Sequence, residues 1–221
     1  MSAPAATRVL AGRIAALTFA DLPRPVVEHA KACLLDWIGA ALAGSASPTA
    51  AIALRIVPEL AGAGRATLAG ARRTASPFGA AFYNGAVAAV DEIDDVHQDA
   101  SLHPGITVLP AALALAEDRG ASGARLLAAV VAGYDVVARV ARAAGPAHYR
   151  HWHTTGTCGT FGAAAAAGHL LGLDAAAMTM ALGLAGTQAA GLWESLNGEA
   201  TMAKHLHSAR AASSGVLAAR L

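Results

Sequence analysis

No stretch of this 221-residue chain alternates apolar and polar side chains for long enough to build a sheet. Nearly every periodic segment instead repeats its apolar positions at helical spacing. Val9, Leu10, Ile14 and Leu17 set that spacing over 5–18. Asp21 is placed to cap a second helix that carries Pro23 and Pro25 in its first turn and stops at Gly44. A third helix over 48–60 precedes RATLAG (65–70), the one strand candidate. Further helices are expected at 76–91, 106–119, 122–144, 158–172, 174–190 and 203–221. The chain is 55% hydrophobic but only 5% aromatic, with 23 glycines, so its core must be filled by Ala, Leu and Val. Small side chains let helix backbones approach closely, which points to one all-α, multi-layer domain over residues 1–221.

Charge and cysteine usage exclude several partners. The formal net charge is +1 with 14% charged residues, which leaves neither a basic stripe for nucleic acid nor a polybasic patch for lipid. So few charges also imply apolar surface covered by a partner subunit or domain, and a homodimer is expected. Ala175–Trp193 is uncharged for 19 residues, the length of a membrane span. Its Ala, Gly, Thr, Gln and Met add little transfer energy, so the expectation is a helix buried in protein and no membrane partner. Cys33 and Cys158 are far apart and supply neither a zinc nor an iron–sulfur ligand set. MSAPAATRVL has no apolar segment behind a basic start, and a cytoplasmic location is expected. The last helix reaches Leu221 without a glycine or polar tail, so the natural chain is expected to continue.

Three irregular stretches hold most of the polar chemistry: DEIDDVHQDASLHPG (91–105), GPAHYRHWHTTGTCG (145–159) and LWESLNGEATMAKHLH (192–207). Seven of the nine histidines fall in them, and polar loops on a rigid scaffold are where sites are built. In the first, Asp94, Asp95, His97, Asp99 and His103 fit a divalent metal, an acid–base pair or a solvated loop, although the spacing matches no calcium loop and no H-E-x-x-H is present. In the second, small residues lead from His153 into a helix. The exposed N–H groups there could hold a carboxylate, and the same residues would equally suit a close-packed helix junction. In the third, Lys204 stands where a helix begins, against the helix dipole, a conflict that an anion would relieve.

Taken together, KACLLDWIGAALAG (31–44), GAAFYNGAVAAVDEIDDVH (79–97), HPGITVLPAALALAE (103–117), HTTGTCGTFGAAAAAGHLLGL (153–173) and the K-x-x-H of Lys204 and His207 resemble the MmgE/PrpD family. That family includes 2-methylcitrate dehydratases, cis-aconitate decarboxylases and iminodisuccinate epimerases. The resemblance implies a helical domain that here lacks the family's smaller α+β lid. It also implies a cofactor-independent, dehydratase-like carbon–oxygen lyase that uses no metal and abstracts a proton next to a carboxylate of a small di- or tricarboxylate, with decarboxylation or epimerisation of a related polycarboxylate as the alternative. It places catalytic roles on Asp94 or Asp95, His103, His153 and Lys204. Substrate contacts are expected from Lys204, His207, His97, Thr154 and Gly156. Val96 replaces a frequent threonine, Ala209 a frequent glycine and Glu92 a frequent aspartate. A non-catalytic helical domain and a metalloenzyme using Asp94, Asp95, His97 and His103 are the competing possibilities.

Overall fold

The structure, a computed structural model, describes residues 5–193 and 202–221. Nine α-helices account for most of them: α1 (Ala6–Ala16), α2 (Arg24–Gly44), α3 (Pro48–Leu60), α4 (Pro77–Ala88), α5 (Gly105–Arg119), α6 (Gly123–Tyr149), α7 (Thr154–Leu171), α8 (Ala175–Gln188) and α9 (Met202–Arg220). The fold is all-α. Side-chain caps begin several of the helices: Ser47, Ser76, Ser122 and Asp174 accept the backbone N–H of Ala50, Gly79, Arg125 and Ala177. Gly120 and Gly172 end α5 and α7 in the left-handed conformation, where a Cβ would be strained.

Helix α7 is the hub. It packs against α5, α6, α8 and α9, while α9 also packs on α4, and α4 is covered by α2 and α3. Ala163–Ala167 are wholly buried, so every face of α7 meets protein. Close approach is possible because the contacts are made by the smallest residues: a Cβ added at Gly215 of α9 would stand 2.4 Å from Ala163 Cβ and 2.6 Å from Ala164 N. The rest of the core is correspondingly aliphatic, with Leu109, Leu115, Val108, Val130 and Val136 buried beside Trp37 and Tyr83.

Several local expectations change. Asp21 does not cap α2. Its carboxylate accepts the backbone N–H and hydroxyl of Thr18 (2.8 and 2.6 Å), closing a separate 3₁₀ turn at Phe19–Asp21, and α2 starts after Pro23. RATLAG does form a strand, β1 (Ala66–Thr67), but it pairs antiparallel with β2 (Thr74–Ala75), a partner too short for its alternation to show. Buried Asn84 fastens this hairpin to α4 by accepting Ala69 N–H and donating to Thr67 O. Helix α7 begins four residues earlier than expected, and α6 resumes after a break at Gly145 (φ 72°), so only a short connection separates them. The uncharged segment is buried on one side only: Met178, Ala181, Leu182 and Ala185 face inward, while Met180 is 66% exposed. Among the described residues no single helix is long and apolar enough to cross a membrane.

Candidate active site

Residues from all three polar stretches meet at one cavity of about 270 Å³. His103, His153 and Lys204 line it together with Tyr149, Thr155 and Trp193. A larger groove of about 630 Å³ lies elsewhere, between α1, α6, α7 and α8. Its walls are Val9, Leu10, Val140 and Phe161 with two arginines, and it offers no carboxylate or imidazole for proton transfer. Chemistry, not size, singles out the smaller cavity.

The loop after α4 aims His103. An isolated bridge between His97 and Leu102 closes it around a 3₁₀ turn at Gln98–Ala100, and Ser101 takes the left-handed conformation (φ 48°) to complete the reversal. The backbone N–H of His103 donates to Thr155 Oγ1 (3.0 Å), which ties the loop to the first turn of α7. Its ring Nδ1 lies 2.8 Å from Asp94 Oδ2, and that carboxylate is only 2% exposed. An ionised carboxylate can only accept, so Nδ1 carries the hydrogen and Nε2 is left free to take or give a proton.

The two adjacent aspartates have different tasks. Asp95 does not line the cavity; it accepts Gly105 N–H (2.9 Å) and Tyr134 O–H (2.9 Å) inside the protein. Burial raises its pKa, against the lowering effect of those two hydrogen bonds. Tyr134 is likewise pushed up by burial and then by the Asp95 charge. Asp95 therefore anchors the start of α5 two residues beyond His103, and of the two aspartates Asp94 is the one paired with His103.

His153 precedes α7 and hangs from Gly191 O through its backbone N–H (2.8 Å). Its Nδ1 is 3.1 Å from Nδ1 of His207, a contact that requires one ring to donate and the other to accept. The Trp193 ring lies 4.6 Å away, centroid to centroid. Burial, then the neighbouring His207, Lys204 and His103, lower its pKa to about 3, so the ring is neutral near pH 7. His207 is also lowered by burial. Lys204 reaches the cavity from the first described turn of α9, and its Nζ pairs with Glu92 Oε1 at 2.7 Å.

Four residues expected to contact substrate lie off the wall of this cavity. His97 does not line the cavity; its backbone bridges Leu102, and its Nδ1 is buried without a partner among the described residues. Thr154 faces a neighbouring cavity beside Arg142 and Gly145; Thr155, one helical step on, is the residue at the site. Gly156 is a packing glycine, since a Cβ there would stand 2.7 Å from Ala190 O and 3.1 Å from His207 Cβ. His207 sits behind His153 rather than on the cavity wall. Part of the third stretch, 194–201, lies outside the described residues. Among the described residues no three His, Cys, Asp or Glu side chains gather in a way that could hold a metal; Asp94 and His103 pair with each other, while Asp95 turns to Gly105 and Tyr134.

Tyr149, Thr155 and Trp193 were missed by motif reasoning. All three lie within the polar stretches, Thr155 in the small-residue run, but no motif marks Tyr149 or Trp193.

Comparison with known proteins identifies the family. The MmgE/PrpD N-terminal domain profile matches residues 8–221. A cis-aconitate decarboxylase-like protein of Aspergillus oryzae is 34% identical over 224 residues, covering 97% of this chain and 46% of that protein. The cis-aconitate decarboxylase of Aspergillus terreus is 32% identical over 204 residues, covering 89% of this chain and 41% of that protein. The chain thus spans less than half the length of these relatives. By sequence along nearly its whole length and by its all-helical fold, the chain belongs to the MmgE/PrpD family.

Proposed function

We propose that this chain carries the proton-transfer and carboxylate-binding groups of a cofactor-independent lyase acting on a small polycarboxylate. The observation that carries the proposal is the meeting of the Asp94–His103 pair, a neutral His153 and Lys204 at one cavity. Lys204 binds a substrate carboxylate through a charge-assisted contact, worth on the order of 1.5–3 kcal/mol. Neutral His153 offers a hydrogen bond to a second polar group. His103, oriented by Asp94, moves the proton.

The names of the two fungal relatives favour decarboxylation of a cis-aconitate-like tricarboxylate over dehydration or epimerisation. In that reaction the carbon–carboxylate bond breaks and carbon dioxide leaves. The electron pair stays on the carbon framework, and the imidazolium of His103 supplies the proton that quenches it. A cytoplasmic homodimer with neither a membrane nor a nucleic-acid partner completes the proposal. The exposed apolar stripe of Leu35, Ile38 and Leu42 on α2 supports an assembly.

The test uses the protein expressed from its complete gene, mixed with cis-aconitate in deuterated water. Carbon dioxide release and deuterium incorporation into the product are expected, and His103→Gln should abolish both. A wild-type protein inert toward di- and tricarboxylates, or an undiminished His103→Gln variant, would refute the proposal; the inert outcome would leave a non-catalytic helical domain.

A further inference from the structure

We propose that Glu92 is an internal carboxylate occupying the anion position at Lys204, and that a substrate carboxylate binds by displacing it. This makes Glu92 a determinant of substrate affinity. The inference rests on the proposed role of Lys204 as a carboxylate partner and adds what Lys204 is doing before substrate arrives.

The two partners of the 2.7 Å pair differ in what they lose on separation. The Lys204 side chain is 20% exposed and sits in the first described turn of α9, where helix dipole and ammonium have the same sign. Left without an anion it would be a largely buried, unneutralised charge. The Glu92 side chain is 53% exposed, so its carboxylate can move into water at little cost. An incoming carboxylate therefore satisfies Lys204 as Glu92 did, while Glu92 is solvated.

The backbone of Glu92 fits the same account. Its φ is +51°, a left-handed conformation that a glutamate adopts only under constraint from its surroundings. Backbone strain of that kind concentrates at sites where it serves a purpose. Acidic character also extends along the start of α9, since Asp91 and Glu92 both act electrostatically on His205. A ligand with one carboxylate exchanges one ion pair for another and gains little. A ligand with two or three retains a surplus for His153 and the cavity wall. The exchange thus discriminates by charge count.

Calorimetric titration with tricarballylate, a saturated tricarboxylate that cannot react, tests the inference in the protein from its complete gene. Glu92→Gln should tighten binding roughly two- to fivefold, the worth of a half-exposed ion pair. Glu92→Asn, which keeps a residue tolerant of positive φ, should act in the same direction. Asp91→Asn removes the same charge one residue away and should change affinity less. Unchanged or weaker binding by Glu92→Gln would overturn displacement and make Glu92 a support that holds Lys204 in place. An equal gain from Asp91→Asn would overturn it too, as a general field effect. Lys204→Met separates the two levels: weakened binding upholds the carboxylate role of Lys204 whatever Glu92 does, whereas wild-type binding defeats that role and the displacement with it.

Discussion

Acidification from pH 7 to pH 5 should destabilise the fold, and His153→Gln should remove about one proton's share of that loss. His153 is neutral in the folded protein because burial, reinforced by His207, Lys204 and His103, holds its pKa at about 3. An unfolded histidine titrates near 6.5. The folded value is thus depressed, and the unfolded chain binds the extra proton between the two. Stability is fully present above about 6.5 and falls as pH drops toward 3. Each unit in that window is worth about 1.4 kcal/mol, so the 1.5 units between pH 6.5 and 5 give roughly 2 kcal/mol from this one ring. His148, His205 and His207 are also lowered by burial and add losses of the same sign. Those losses remain in the variant, so the signal is the difference between the two proteins. Glutamine will lower stability at every pH through the lost contact with the Trp193 ring, and this offset cancels in the comparison. Urea unfolding at pH 8, 7, 6 and 5 at constant ionic strength measures it. Equal losses in both proteins between pH 7 and 5 would refute the argument and mean that His153 takes up its proton without leaving the fold.

Asp94→Asn should lower kcat by about ten- to a hundredfold and alter the pH–rate profile with little change in KM, because it removes the anionic partner of His103 without touching Lys204. Steady-state kinetics on a decarboxylated or exchanged substrate would show it, and an unchanged profile would count against the pair. Gly215→Ala should cost about 1–3 kcal/mol or more, since the new methyl meets Ala163 and Ala164 on a neighbouring helix. Gly39→Ala in α2, where a Cβ meets nothing within 4 Å, should be neutral or stabilising by up to about 1 kcal/mol. Similar unfolding midpoints for the two variants would contradict the close packing of α7 and α9.

The helices were legible because periodicity is written into many residues at once. Their starts were not, where a choice rested on one or two side chains. Asp21 had the right chemistry for a cap, but Thr18 lay within its reach and took it. The three polar stretches also marked the site, since His103, His153 and Lys204 each come from a different one. Neighbouring residues defeated sequence reasoning: Asp94 against Asp95 and Thr154 against Thr155 differ only in the direction each side chain leaves the backbone. Tyr134 lies 39 residues from Asp95, and only tertiary packing reveals the hydrogen bond that draws that carboxylate inward. The pairing of Glu92 with Lys204 was hidden in the same way, although the dipole conflict at Lys204 foretold that some anion would be needed.

The full enclosure of α7 restricts how this protein can diversify. The fully buried alanines at 163–167 leave little room for larger side chains on that part of the helix. The segment that carries His153 and Thr155 is mounted on that enclosed helix. New substrate ranges must therefore arise on the opposite wall of the cavity, in the loop bearing Glu92, Val96 and Gln98, where side chains face solvent and exchange is cheap. A library confined to that loop should yield altered acceptors, while one spread along α7 should yield mostly misfolded protein.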